Sequence, residues 1–343
     1  MKKRIAINGF GRIGRTVLKM CLLPPYNDML EVVAVNDLGD VHNLAYLVKY
    51  DSVYGTIPQE VSVIEKEGKP YIKIADQEIV VCSEKDPNNL PWASLGIDVV
   101  IESTGFFTST EKSQAHINAG AKRVVISAPT KDETVMVTPS LNEEALKNVV
   151  ISSNASCTTN ATNPVAAVIH EALGIEKAML STVHAYTATQ SLVDGMADIK
   201  DMRRGRAGAQ NIVPSTTGAA KAVSQVIPDL ANKFDGVAVR VPVVAGSLID
   251  LTMLVSRDTS VEEVNQILVN ASQSDRWNGI LGVTNDQLVS TDILKSSYGS
   301  LVSLDLTQVV DGDLIKVMAW YDNEWSYTAM LMRHVQSVLN VLE

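Results

Sequence analysis

The sequence predicts an α/β fold in two parts: an open parallel sheet with helices on both faces, then a second domain that is mainly antiparallel. Three observations carry this reading. A β-rich run, Arg4–Asn8, ends in glycines and opens directly into a helical pattern. Up to Val150, short apolar runs alternate with helical stretches, as parallel strand–helix units require. After Ile151 the strand candidates lengthen and fewer helices separate them.

In chain order, Ile13, Val17, Leu18 and Cys21 recur at helical spacing until Pro24-Pro25 stops them. Glu31–Asn36 encloses Val32-Val33-Ala34-Val35, a buried-strand run, and Val41–Val48 is helical again. Asp98–Glu102 and Arg123–Ala128 are further strands, with a helix over Thr110–Ala119 between them that Gly120 ends. Residues 60–82 alternate in short stretches broken by turn residues, which predicts antiparallel hairpins inserted at the end of the first sheet. Longer strands follow at Met179–Ala185, Val237–Val244, Ser247–Ser256 and Leu314–Tyr321, with a helix at Val261–Ala271. Glu324–Leu342 reads as one helix whose apolar residues can pack back on the first domain.

A chain of 343 residues makes about two domains. Its 46% hydrophobic and 20% charged residues exclude a disordered protein. The net charge of −10 repels phosphate backbones, so nucleic acid is not the primary ligand, while a local basic pocket can still take a small anion. Three cysteines, an odd and sparse set, indicate a reducing compartment. The basic N-terminus has too few apolar residues before Gly9 for a signal peptide, and no apolar run approaches the roughly 18 residues of a membrane span. The expectation is a soluble, cytoplasmic protein.

Gly9, Gly11 and Gly14 form G-x-G-x-x-G between a strand and a helix. Gly9 permits the tight turn, Gly11 lets backbone approach a pyrophosphate, and Gly14 lets helix and strand close. Asp37 closes the second strand, where a carboxylate can accept hydrogen bonds from adenosine ribose hydroxyls. No Arg or Lys follows in Leu38–Val41 to neutralise a 2′-phosphate, which favours NAD over NADP. The plain alternative is a glycine turn with a helix cap. Strand, spacing and acid together favour a Rossmann-type dinucleotide-binding domain.

Ser153–Asn160 places Cys157 between a strand and a helix-like stretch. A helix N-terminus there favours thiolate and offers N–H groups to an oxyanion. A buried structural cysteine is the competing reading. His184, at the end of a strand in Thr182–Gln190, is the partner that could lower the thiol pKa and carry a proton. The other four histidines sit in ordinary helical or polar settings. Arg203, Arg204 and Arg206 form a basic run, whose plain reading is a solvated or interface loop. Pro214–Lys221 is a Ser/Thr–Gly turn opening a helix, suited to an anion. Arg240 lies inside an apolar strand and needs a counter-charge, for which a bound phosphate is one candidate.

These segments resemble the phosphorylating glyceraldehyde-3-phosphate dehydrogenase family over essentially the whole chain. INGFGRIGR (7–15), VNDL (35–38), ESTG (102–105), ISAP (126–129), SNASCTTN (153–160), TVHAYTATQ (182–190), STTGAAKAV (215–223), RVP (240–242) and WYDNEWSY (320–327) carry the resemblance. SNASCTTN followed by HAYTATQ is its most specific part. The resemblance implies Cys157 as nucleophile and His184 as its base. It implies dinucleotide contacts from Arg12, Ile13, Asp37, Ser127 and Asn323. It implies a substrate-phosphate site of Thr187, Thr189, Arg204 and Arg240, and an inorganic-phosphate site of Ser156, Thr158, Thr217 and Gly218. It further implies a homotetramer, because the Tyr186–Gln210 stretch reaches a neighbouring subunit, and no metal. The domains would be 1–156 for NAD, completed by a C-terminal helix at 323–343, and 157–322 for catalysis, a mainly antiparallel α+β domain.

The sequence departs from the family pattern at a few positions. Ala161 stands where many members have a second cysteine, and Met196 where NAD-specific members commonly have proline. Val244-Ala245-Gly246 replaces a frequent Pro-Asn-Val, and Ser326 a common glycine. The implied reaction converts glyceraldehyde 3-phosphate, inorganic phosphate and NAD to 1,3-bisphosphoglycerate and NADH through a cysteine thioester. Two alternatives stand beside it: an erythrose-4-phosphate dehydrogenase, whose thioester goes to water, and a surface or RNA-interacting protein that retains the fold.

Overall fold

The computed structural model describes residues 1–342. Backbone contacts divide them into two compact units: residues 1–137 with 143–155 and the stretch from Leu331 on, and residues 138–142 with 156–330.

The first unit contains β1 (Lys3–Asn8), α1 (Arg12–Cys21), α2 (Tyr26–Met29), β2 (Leu30–Asn36) and α3 (Val41–Lys49). There follow β3 (Val61–Lys66), β4 (Lys69–Ile74), β5 (Gln77–Cys82), α4 (Trp92–Leu95), β6 (Val99–Glu102), α5 (Thr110–Asn118), β7 (Arg123–Ile126) and β8 (Ile151–Ser153). The sheet order is β3-β4-β5-β2-β1-β6-β7-β8. From β5 to β8 every pair is parallel. The expected hairpins are β3–β4 and β4–β5, antiparallel at one end. One parallel direction brings the residues after β1, β2 and β7 (Gly9, Asp37 and Ser127) to the same carboxyl edge, where open α/β sheets bind ligands.

Buried Val33, Ala34, Trp92, Val100, Val124 and Ile126 fill the core of this unit. Burying each valine or isoleucine side chain contributes about 1.5–3 kcal/mol. A polar chain crosses the same interior. The Trp92 indole donates to His116 Nδ1 at 3.1 Å. That leaves the Nε2–H of a neutral ring to face Glu102 Oε2 at 3.1 Å. Glu102 also accepts from Asn8 at 2.5 Å and from the Thr104 amide at 2.8 Å. His116 is therefore buried and structural.

The second unit contains α6 (Cys157–Leu173), β9 (Ile175–Ala185), β10 (Val213–Thr216), α7 (Ala219–Val226), β11 (Phe234–Val241) and β12 (Ser247–Val255). It continues with α8 (Val261–Ser272), β13 (Leu281–Thr284), β14 (Ser300–Ser303), β15 (Gln308–Val310) and β16 (Leu314–Tyr321). The order is β10-β11-β9-β12-β16-β14-β13, with β15 added on β16. The sheet is mixed: β9–β11 and β13–β14 are parallel and the other pairs antiparallel. The long connection between β9 and β11 makes a parallel crossover possible. Burial alternates along β12, buried at Ser247, Ile249, Leu251, Met253 and Val255, so one face of the sheet is packed. Helix α6 packs against α7, α8 and β12.

The last helix, α9, runs Trp325–Asn340. Residue 343, at the end of the expected span 323–343, lies outside the described residues. Asp322 opens the helix, its Oδ1 accepting from the amides of Glu324 and Trp325 at 2.9 Å.

Candidate active site

At the glycine loop, backbone geometry explains each residue. Gly9 has φ +90°, and a Cβ there would meet the Thr104 backbone at 2.5 Å. A Cβ on Gly14 would strike the Gly9 carbonyl at 2.3 Å. Beside Gly11 there is open space, and as N-cap of α1 it supplies no side-chain cap. An uncapped N-terminus with a bare approach and no acid in its first turn suits a pyrophosphate. Asp37 lies one residue past β2. Its carboxylate accepts from the amides of Phe10 at 2.7 Å and Gly39 at 2.9 Å, which ties the loop to the strand end.

Arg12 forms an ion pair with Asp51 at 2.9 Å and lies over the Tyr54 ring. Lys19 holds the same carboxylate at 2.7 Å. Burial works against the Asp51 charge, but Lys19, the amides of Tyr54 and Val53, and Arg12 hold its carboxyl well below the usual range. Ile13 is half-buried on the first turn, and the Ser127 amide donates to the Glu102 carbonyl at 2.8 Å.

In the second unit, Cys157 is the first residue of α6. Ser156 caps the helix, its hydroxyl accepting from the Thr159 amide at 3.0 Å. Cys157 Sγ lies 3.3 Å from His184 Nε2. His184 sits on β9 with Arg240 of β11 as its register partner. The Ala185 carbonyl receives the His184 Nδ1–H at 2.6 Å and an Arg240 N–H at 3.2 Å. A protonated Nδ1 leaves the Nε2 lone pair facing the thiol. The Tyr321 ring meets the imidazole edge-on, with centroids 5.9 Å apart.

The charge state differs from the sequence expectation. The helix N-terminus was expected to favour thiolate. Burial pushes the Cys157 thiol up instead, against the pull of Arg240 and of Thr158. Burial and the Arg240 charge hold His184 down to about 3, against the Ala185 carbonyl. At neutral pH the free chain therefore carries a neutral thiol beside a neutral imidazole whose accepting nitrogen faces it.

The anion-binding candidates fall into linked groups. Arg240 Nη1 lies 2.8 Å from His184 Nδ1, and its Nε is buried without a partner among the described residues. A buried donor of this kind is complete only with an acceptor such as a phosphate. Thr187 and Thr189 hydroxyls are 2.9 Å apart, and Arg204 donates to Thr189 at 3.2 Å. Arg204 is not a solvated loop residue: Asp201 at 3.0 Å and Ser215 at 2.9 Å hold its Nε. The Thr158 hydroxyl is engaged by Tyr321 at 3.0 Å. Thr217 and Gly218 lie beyond the end of β10, whose Val213 is the residue that pairs with Arg240. Gly218 is the N-cap of α7 and supplies no side-chain cap.

Sequence reasoning passed over Asp51, Lys19, Asp201 and Ser247. Of these only Asp201 left a local signal, an acid beside Arg203-Arg204. Asn323 was placed by its motif. Its Oδ1 accepts from the Gly246 amide at 3.2 Å and the Ser247 hydroxyl at 3.0 Å.

A glycine loop opening a helix at the carboxyl edge of a parallel sheet, with Asp37 just past the next strand, places the protein among those with a dinucleotide-binding fold. Comparison with known proteins narrows this class. Residues 3–110 match the family described as glyceraldehyde 3-phosphate dehydrogenase, NAD binding domain, and residues 156–323 its C-terminal domain. The chain is 48% identical over 334 residues to a glyceraldehyde-3-phosphate dehydrogenase of Clostridium acetobutylicum, covering 96% of each chain. It is 46% identical to that of Pseudomonas aeruginosa over 97% of each, and 45% to that of Geobacillus stearothermophilus over 96% of each. The chain belongs to the glyceraldehyde-3-phosphate dehydrogenase family. Among the described residues, no helix is long and apolar enough to cross a membrane.

Proposed function

We propose that the protein oxidises glyceraldehyde 3-phosphate with inorganic phosphate to 1,3-bisphosphoglycerate, through a thioester on Cys157. The observation that carries this is the 3.3 Å contact between Cys157 Sγ and the accepting Nε2 of His184. Nε2 takes the thiol proton as Sγ attacks the aldehyde carbon, and the N-terminus of α6 steadies the new oxyanion. His184 then delivers that proton to the oxyanion, which makes the hemithioacetal hydroxyl, and as a neutral base draws it back as the C–H bond breaks. Bound NAD supplies the hydride acceptor. Gly9, Gly11, Gly14, Arg12, Ile13, Asp37, Ser127 and Asn323 are the residues that would hold the dinucleotide.

Arg240, with Thr187, Thr189 and Arg204, would take the substrate phosphate. Ser156, Thr158, Thr217 and Gly218 would receive the attacking inorganic phosphate, which cleaves the thioester to an acyl phosphate. The pair of hydroxyls at Thr187 and Thr189 favours this reading over release of the thioester to water. We further propose a cytoplasmic homotetramer, the assembly that the family resemblance implies. The test is NADH formation from glyceraldehyde 3-phosphate with and without inorganic phosphate. Strong dependence on phosphate is expected; turnover independent of it would turn the assignment to an erythrose-4-phosphate dehydrogenase.

A further inference from the structure

The Asn323 amide is held in one orientation from behind. Two donors, the Gly246 N–H and the Ser247 O–H, meet its Oδ1. An amide turned by half a circle would set its own N–H groups against the Gly246 N–H, so the arrangement admits one state. Gly246 reaches this position at φ +87°, and a Cβ there would strike the Ser290 carbonyl at 2.2 Å. The Ser247 hydroxyl has one proton. Its oxygen accepts from the Ala185 amide at 3.1 Å, so that proton is left for Asn323. Ser247 is only 1% exposed. One buried hydroxyl thus joins the residue after His184 to the Asn323 side chain.

We propose that Ser247 is a positioning residue that makes Asn323 a donor only, presenting Nδ2 to the carboxamide oxygen of the nicotinamide ring. This rests on the reading of Asn323 as a dinucleotide contact. The end of the dinucleotide follows from the chemistry. The ring that takes the hydride has to lie beside the carbon held on Cys157, and Asn323 is tied through Ser247 to the strand that carries His184. The ring's polar substituent is a carboxamide. With both lone pairs of Oδ1 engaged, Asn323 can offer it only N–H.

Calorimetric titration of the full-length protein with NAD and with ADP-ribose, which lacks the ring, tests the proposal. Ser247→Ala should weaken NAD by about tenfold, the scale of one net hydrogen bond, and leave ADP-ribose unchanged. Ser247→Thr, which keeps the hydroxyl, should retain the wild-type ratio of the two affinities. If both ligands weaken equally in Ser247→Ala, the role is structural and the proposal falls. If Asn323→Ala weakens NAD selectively while Ser247→Ala does not, Asn323 stands and Ser247 falls. If Asn323→Ala leaves the ratio unmoved, the dinucleotide reading of Asn323 fails first. Should Ser247→Ala not fold, Ser247→Cys, a weaker donor, is compared with Ser247→Thr; equal ratios would overturn the proposal.

Discussion

Cys157 and His184 meet as neutral partners, so their reactivity depends on how the pair shares one proton. Replacing His184 by Asn removes the acceptor. Turnover should fall by roughly a hundredfold or more, the usual scale for a general base. Alkylation of Cys157 should slow with it near neutral pH, and an unchanged alkylation profile would show that another group takes the proton. Arg240 acts on the same pair from the other side. Its charge favours thiolate and opposes imidazolium. Arg240→Ala should therefore raise the pH midpoint of Cys157 alkylation, because a thiolate loses its neighbouring cation. It should also weaken phosphorylated glyceraldehyde far more than unphosphorylated glyceraldehyde. Equal losses for the two substrates would count against a phosphate contact at Arg240.

At the scale of elements, α1 is anchored by the buried Lys19–Asp51 pair, their side chains 5% and 2% exposed. Asp51→Ala would leave the Lys19 ammonium buried without its counter-charge, at a cost of about 3–5 kcal/mol. Urea unfolding should record that loss, and a change under about 1 kcal/mol would mean that the pair behaves like a surface bridge. Neither residue stands out in the sequence, for Asp51 lies 32 residues from Lys19. The glycine loop, Asp37, Cys157 and His184 were legible because each lies at or within a few residues of a strand end, where local spacing carries the meaning. Ser247 and Tyr321 were not, because their partners come from distant strands: Tyr321 meets Thr158 across 163 residues. The same limit hid the parallel pairing of β9 with β11, which no local periodicity records. Strands β10, β13, β14 and β15 are too short to show a period.

For the molecule as a whole, two quantities are measurable. His334 is fully buried against Ser152 at 2.9 Å and Asn154 at 3.2 Å, and burial holds it down to about 3. The unfolded chain protonates it near 6.5, so protons favour unfolding as pH falls from there toward 3. At pH 5 this group alone should cost about 2 kcal/mol relative to pH 7.5. Wild type should lose more stability over that range than His334→Gln, and parallel losses would remove His334 as the cause. The second quantity is mass in solution. Leu192, Met196, Ile199, Met202 and Ile212 are at least two-thirds exposed in a single chain, more apolar surface in one segment than scattered residues leave. Light scattering should give four copies, and Met196→Asp with Ile199→Asp should reduce that number. A wild-type monomer would overturn the tetramer.

The ends of the two sheets limit how such copies can join. Strand β10 is four residues long and carries Pro214, which has no N–H to offer a further strand. Strand β8 is only three residues long, and β3 ends in Glu65-Lys66. Terminal strands that are short, charged or proline-bearing resist accretion of foreign strands. The fourth end, β13, is also only four residues long, so copies that join as proposed are expected to meet through side chains on their faces rather than through a shared backbone ladder. Dilution can then separate them without unzipping either sheet, and a chain waiting for its partners offers little template for fibre growth.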